Sequence, residues 1–209
     1  FFGGVKYYPK QYSSFQKFYP DNSDSCISGS AVREICEDHN HDIWIGTEDA
    51  GLNKLNPATG SITQFKPTGR KTDIAYSNIH GLLATGNDLW VGTFEHGLDL
   101  LDIRTGKVKK LYTAGPGPHE LKSNFVLSII RSKSGDIYLG SSNGLYRYNK
   151  KNDNFDRPGN LPEPVFVAGV MEDHRQTIWV ATHGLGVYYF NPHTGEQGNF
   201  RNSANDSNT

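Results

Sequence analysis

The chain has 209 residues, a formal net charge of −1 and a pI of about 6.8. This near-neutral balance, with no basic cluster of the kind that holds a phosphate backbone, excludes nucleic acid as an expected partner of the segment. No apolar run approaches the roughly 20 residues that cross a bilayer.

From the N-terminus, residues 1–20 read as the back half of a repeat, with Phe2, Gly3, Gly4 and Val5 leading into one strand and 15–18 forming another. Four fuller cycles follow. Each begins with two apolar residues three apart: Val32 and Ile35, Ile79 and Leu82, Val126 and Ile129, Val167 and Val170. Next comes Ile-Trp-Ile-Gly-Thr at 43–47, recurring at 89–93, at 137–141 with Tyr138 in the Trp place, and at 178–182 with Ala181 in the Gly place. A third segment follows a glycine, at 51–55, 97–101, 144–148 and 186–190. The fourth is short: 62–65, 108–111, and weak ones around Phe155 and Phe200.

The central aromatics stand at 44, 90, 138 and 179, so successive copies are 46, 48 and 41 residues apart. A period near 45 with an aromatic on an apolar strand is the mark of a propeller blade. The predicted fold class is all-β: a β-propeller of four-stranded antiparallel blades, about four and a half of them. The expected organisation is a half blade at 1–20, blades at 21–66, 67–113, 114–160 and 161–201, and a linker to a missing blade at 202–209. On this reading the chain is an excerpt of a longer protein, with any targeting signal outside it. Its two end blades would expose apolar faces, so self-association, or a dimeric parent, is expected.

Strict period-2 alternation is absent, as expected where each blade is covered on both faces. Trp44, Trp90, Tyr138 and Trp179 read as wedges between blades rather than as ligand platforms. Cys26 and Cys36 read as two unconnected residues. The Glu-Asp-His stretches at 37–39 and 172–174 read as turn chemistry, and no metal ligand set is indicated. In a meander, the turns between strands one and two share an end with the Asn-Pro-x-Thr-Gly type turns at 56–60, 102–106 and 191–195. That end is uniform. The opposite end carries the irregular hairpins and the long blade-to-blade connections, where binding residues concentrate. The candidate ligand-binding residues there are Glu48, Phe94, Glu95, His96, Asn143 and His183. No catalytic residue is assigned and no cofactor is expected, because no triad order, phosphate loop or close carboxylate pair stands out.

The consensus Val-x-x-Ile-x-x-Asp-x-x-x-x-Ile-Trp-Ile-Gly-Thr, then Gly-Leu-x-x-Leu-Asn-Pro-x-Thr-Gly, resembles the two-component regulator propeller repeat over nearly the whole chain. The resemblance implies a hybrid two-component sensor of the Bacteroides type. Its repeats would lie in the periplasm ahead of a β-sandwich domain, a membrane helix and a histidine kinase core. It also implies an oligosaccharide ligand and control of glycan-utilisation genes. Two other readings stay open. A propeller enzyme of streptogramin-lyase type would have to draw on His96, His183 and Glu48. A docking platform for another protein would use the same variable end.

Overall fold

The computed structural model describes residues 17–21 and 23–202. The half blade expected at 1–20 and the linker expected at 202–209 lie outside the described residues, except for 17–20 and 202, which form no strand. The described chain builds four sheets of four strands. The first is β1 (Val32–Glu37), β2 (Ile43–Thr47), β3 (Leu52–Leu55) and β4 (Ile62–Phe65). The second is β5 (Ile79–Thr85), β6 (Asp88–Thr93), β7 (Leu98–Asp102) and β8 (Lys107–Tyr112). The third is β9 (Val126–Arg131), β10 (Ile137–Ser141), β11 (Gly144–Asn149) and β12 (Asn154–Asp156). The fourth is β13 (Val167–Glu172), β14 (Ile178–Thr182), β15 (Val187–Phe190) and β16 (Gln197–Phe200). Within each sheet the strands pair antiparallel in chain order, which is the propeller blade expected from the repeat.

The inner strands β1, β5, β9 and β13 run beside one another from blade to blade. Each inner pairing carries a bulge at its start, and the extra residues are Arg33, His80, Leu127 and Ala168. A bulged residue leaves the ladder and can be re-aimed, which is why bulges gather near functional sites.

The wedge reading holds for three of the four aromatics. Trp44 is buried against Ile79 and Leu82, Trp90 against Val126 and Ile129, and Tyr138 against Val167 and Val170. Burying a side chain of this size contributes about 2–3 kcal/mol. Trp179 is only half-buried, stacked on Phe200 with ring centroids 6.1 Å apart. The glycine of the motif serves the same packing. A Cβ on Gly46, Gly92 or Gly140 would come within 2.6 Å of Ile79, Val126 or Val167 on the next inner strand.

Among the described residues the outward faces of the first and fourth sheets are only partly covered: on the first, Ile45 and Leu55 are buried with Ile27 and Phe18, but Ile35 is left open. Ile35 is 63% exposed, whereas its counterparts Leu82, Ile129 and Val170 are buried. Phe200 and Met171 are likewise exposed on the far face of the fourth sheet.

At the uniform end the turns behave as read. Asp38 Oδ1 accepts from the amides of Asn40 and Asp42, and Asp173 Oδ1 accepts from those of Arg175 and Thr177. Asn56, Asp102 and Asn191 close their turns on the amides of Thr59, Thr105 and Thr194. Both cysteines are free, and burial pushes the Cys36 thiol up to about 12.

Candidate functional site

One hydrogen bond repeats at the variable end of every blade. The amide just after the second strand donates to the carbonyl just before the inner strand: Glu48 to Ala31 (2.9 Å), Phe94 to Asn78 (3.0 Å), Ser142 to Phe125 (3.1 Å) and His183 to Phe166 (2.9 Å). A second bond closes each hairpin, with the hydroxyls of Thr47, Thr93, Ser141 and Thr182 donating to the carbonyls of Gly51, Gly97, Gly144 and Gly186. The hairpin is thereby fixed beside the start of the inner strand, and residues from the two segments share one rim.

Along that rim the side chains form an arc that crosses all four blades. In the first blade Arg33 Nη1 donates to Glu48 Oε1 at 2.5 Å. In the second, the His80 ring lies 5.9 Å from Phe94 and 4.8 Å, edge-on, from Phe125 of the third. Phe94 and Phe125 are 4.7 Å apart, Phe125 and Phe166 6.1 Å, and Phe166 and His183 of the fourth blade 5.9 Å. These tilted and edge-to-face contacts are the favourable ones for aromatic pairs. The three phenylalanines are half-buried, so each keeps part of its ring open, while Glu48 and His183 are exposed.

The arc also holds unsatisfied polarity. Asn78 Oδ1 and His80 Nδ1 are sealed within the protein without a hydrogen-bond partner in it. They belong to the residues on either side of Ile79, at the start of β5. Unpaired buried polar atoms cost about 1–3 kcal/mol each, so a pair of them beside an aromatic ledge needs a reason. Burial first, and then Arg33, pull the His80 pKa below its ordinary value, with Glu48 opposing. His80 is accordingly neutral at neutral pH, with one nitrogen able to accept.

Of the residues singled out in the sequence, Phe94 and His183 lie within the arc, and Glu48 is held by Arg33 at its first end. The other three are not gathered there. Glu95 is an exposed hairpin tip at φ 56°. His96 stacks on Tyr76 at 3.8 Å and its Nδ1 donates to the Phe94 carbonyl. Asn143 is tied into the third blade: its backbone carbonyl accepts from Tyr146 and Arg157, and its side-chain Nδ2 donates to the Lys122 carbonyl. Nor does any hydrogen bond, ion pair or ring contact among the described residues join two of His96, His183 and Glu48, the set a lyase would need. No group of three or more His, Cys, Asp or Glu side chains among the described residues is placed to hold a metal ion.

Arg33, His80, Phe125 and Phe166 were missed by the sequence reading. Their signal was positional. Phe125 and Phe166 precede the first apolar residue of a repeat, and Arg33 and His80 follow it, so they read as flanks of core positions.

Comparison with known proteins bears on the repeat itself. Residues 26–49 match the family described as two component regulator propeller. Over 79 residues the chain is 32% identical to Histidine kinase P4 of Formosa agariphila, a stretch covering 34% of this chain and 6% of that protein. Among solved structures, the extracellular domain assigned to a hybrid two component system of B. thetaiotaomicron is similar with a TM-score of 0.72 at 17% identity, over 84% of this chain and 25% of that one. Virginiamycin B lyase from Staphylococcus aureus, solved in a catalytically inactive form with quinupristin, is similar with a TM-score of 0.63 at 14% identity, over 91% of this chain and 60% of that one. At such identities these two structures show the propeller fold alone. The chain spans a quarter of the first structure and a small fraction of the histidine kinase.

Proposed function

We propose that this chain is part of the periplasmic ligand-sensing propeller of a hybrid two-component sensor, and that the arc from Arg33 to His183 receives the ligand. In this reading the chain performs no chemistry of its own; phosphotransfer belongs to a histidine kinase core elsewhere in the parent. The ligand is an oligosaccharide whose binding controls glycan-utilisation genes. The observation that carries the reading is the arc. Three partly open phenyl rings offer faces to the apolar faces of pyranose rings, and the exposed Glu48 and His183 at the two ends of the arc suit hydroxyl partners. The regulator propeller match and the similarity to a hybrid sensor's extracellular domain support the class.

A thermal-shift screen of the parent's intact extracytoplasmic region against pure plant, host and microbial oligosaccharides tests this function. At least one should raise the Tm, as any ligand of the folded state does. Phe125→Ala should then weaken binding of that sugar by about tenfold, the loss of one stacking contact. No stabilisation by any pure glycan would sink the reading.

A further inference from the structure

At the uniform end, opposite the arc, the same side-chain hydrogen bond forms in two blades and is missing from the other blade that carries the tryptophan. The residue before each central aromatic pairs with Glu37, Ala84, Arg131 or Glu172 on the inner strand. The residues that follow those four are Asp38, Thr85, Ser132 and Asp173. In the first and fourth blades the indole meets a carboxylate: Trp44 Nε1 donates to Asp38 Oδ2 at 2.8 Å and Trp179 Nε1 to Asp173 Oδ2 at 2.9 Å. In the third blade the aromatic is Tyr138, which has no indole N–H, and Ser132 turns its hydroxyl to Ser134. Only the second blade sets a tryptophan against a residue that is not acidic.

The cause is a shorter turn. Thr85 pairs with Asp88 around Gly86 and Asn87, with Gly86 at φ 56°, where the other blades make wider turns. Trp90 Nε1 therefore finds no acceptor among the described residues, yet it is not among the polar atoms sealed from solvent. Trp90, itself 2% exposed, lines a groove of about 680 Å³ between the second and third blades, walled also by Gly86, Tyr148, Arg131, Arg147 and Lys150. That volume lies within the range of small-molecule sites.

The charges in the groove are unevenly engaged. Asp88 is paired with Lys109, Asp156 with Arg147 and His119, and Asp136 accepts from the Ser134 hydroxyl. Arg131 and Lys150 make no ion pair among the described residues. One indole donor and two unpaired cations thus share the groove, and the protein's carboxylates there already have partners.

We propose that this groove binds a small carboxylate ligand, seated over Trp90 where Asp38 and Asp173 sit in the sister blades. The Trp90 N–H donates to it, and Arg131 supplies the charge-assisted contact. The site is separate from the arc and stands whether or not the arc binds a sugar.

The test is a titration of the ¹⁵N-labelled chain with sodium acetate and with sodium glucuronate, against glucose and sodium chloride at matched ionic strength. Its readout is the indole N–H resonances of the three tryptophans, assigned by Trp→Phe variants. The expected result is a saturable shift of the Trp90 resonance with the carboxylates alone, while those of Trp44 and Trp179 stay in place and report an intact fold. Arg131→Ala, a change at an exposed position, should raise the half-saturation concentration about tenfold, as loss of a charge-assisted hydrogen bond would. A Trp90 resonance unmoved by both carboxylates overturns the proposal. So does one that moves equally with glucose or sodium chloride.

Discussion

Asn53 and Asp99 hold the same place in successive blades, paired with Ile45 and Val91. Both are buried, and both accept a loop amide, Asn53 from Ser28 and Asp99 from Ala75, each at 2.7 Å. The difference lies in the other terminal atom. Asn53 Nδ2 donates to the Ile45 carbonyl at 3.4 Å, whereas Asp99 Oδ1 has no partner. Burial pushes the Asp99 carboxyl up to about 7, against the pull of the Ala75 amide. A protonated Asp99 is the closer mimic of Asn53, because its hydroxyl is a donor. The sign of the pH effect follows. Below the ordinary value of 3.8 both folded and unfolded chains hold the proton, and Asp99 carries no penalty. Between 3.8 and about 7 the unfolded chain gives it up first, so this contribution to stability falls as pH rises and is lost above about 7. Asp99→Asn should remove that slope and stabilise the chain at pH 8 by on the order of 2–4 kcal/mol. Thermal melts of both proteins at pH 5 and pH 8 check this; an equal pH dependence in the variant would place the slope elsewhere.

At the scale of the element, the Ile-Trp-Ile-Gly-Thr strand is shaped by three neighbours at once. Its aromatic fills the space between blades, its threonine closes the hairpin, and its glycine lets the next inner strand approach. The glycine requirement differs between blades. A Cβ on Gly92 would stand 2.6 Å from the Val126 carbonyl oxygen, which is backbone and cannot rotate away, whereas at Gly46 the nearest atom belongs to the Ile79 side chain. Ala181 already carries the methyl group in the fourth blade, where it is exposed. Gly92→Ala should therefore cost about 1–3 kcal/mol by overpacking. Ala181→Gly should cost no more than about 1 kcal/mol, the entropy of a strand glycine. Urea denaturation of the two variants separates these outcomes, and a Gly92→Ala protein as stable as its parent would contradict the close approach.

For the molecule as a whole, the end faces dominate behaviour in isolation. Ile35 on one face, with Met171 and Phe200 on the other, expose apolar surface. The chain alone should self-associate, with a weight-average mass rising above 23.2 kDa as concentration increases. Ile35→Asp and Phe200→Asp should each lower that association. A concentration-independent monomer in sedimentation equilibrium would rule it out. The arc is also a whole-molecule property, because no blade contributes more than three of its groups.

The period of the central aromatics determined the blades, their strands and their meander order. Apolar spacing and turn chemistry are local, and each repeat states them again. The end at which variable residues collect followed from the same meander. The choice among those residues did not. Glu95 and His96 resemble Phe94 in position, yet the hairpin turns one to solvent and the other onto Tyr76. Phe125 and His80 looked like flanks of core positions until a bulge and an inter-strand hydrogen bond set them beside a neighbouring blade. The missing partner of Trp90 was similarly invisible, since the pairing of Trp44 with Asp38 emerges only once a turn folds a carboxylate back over the strand. Sequence determined what recurs within a blade. Tertiary structure decided what meets between blades, because those contacts join residues whose separation along the chain carries no periodic signal.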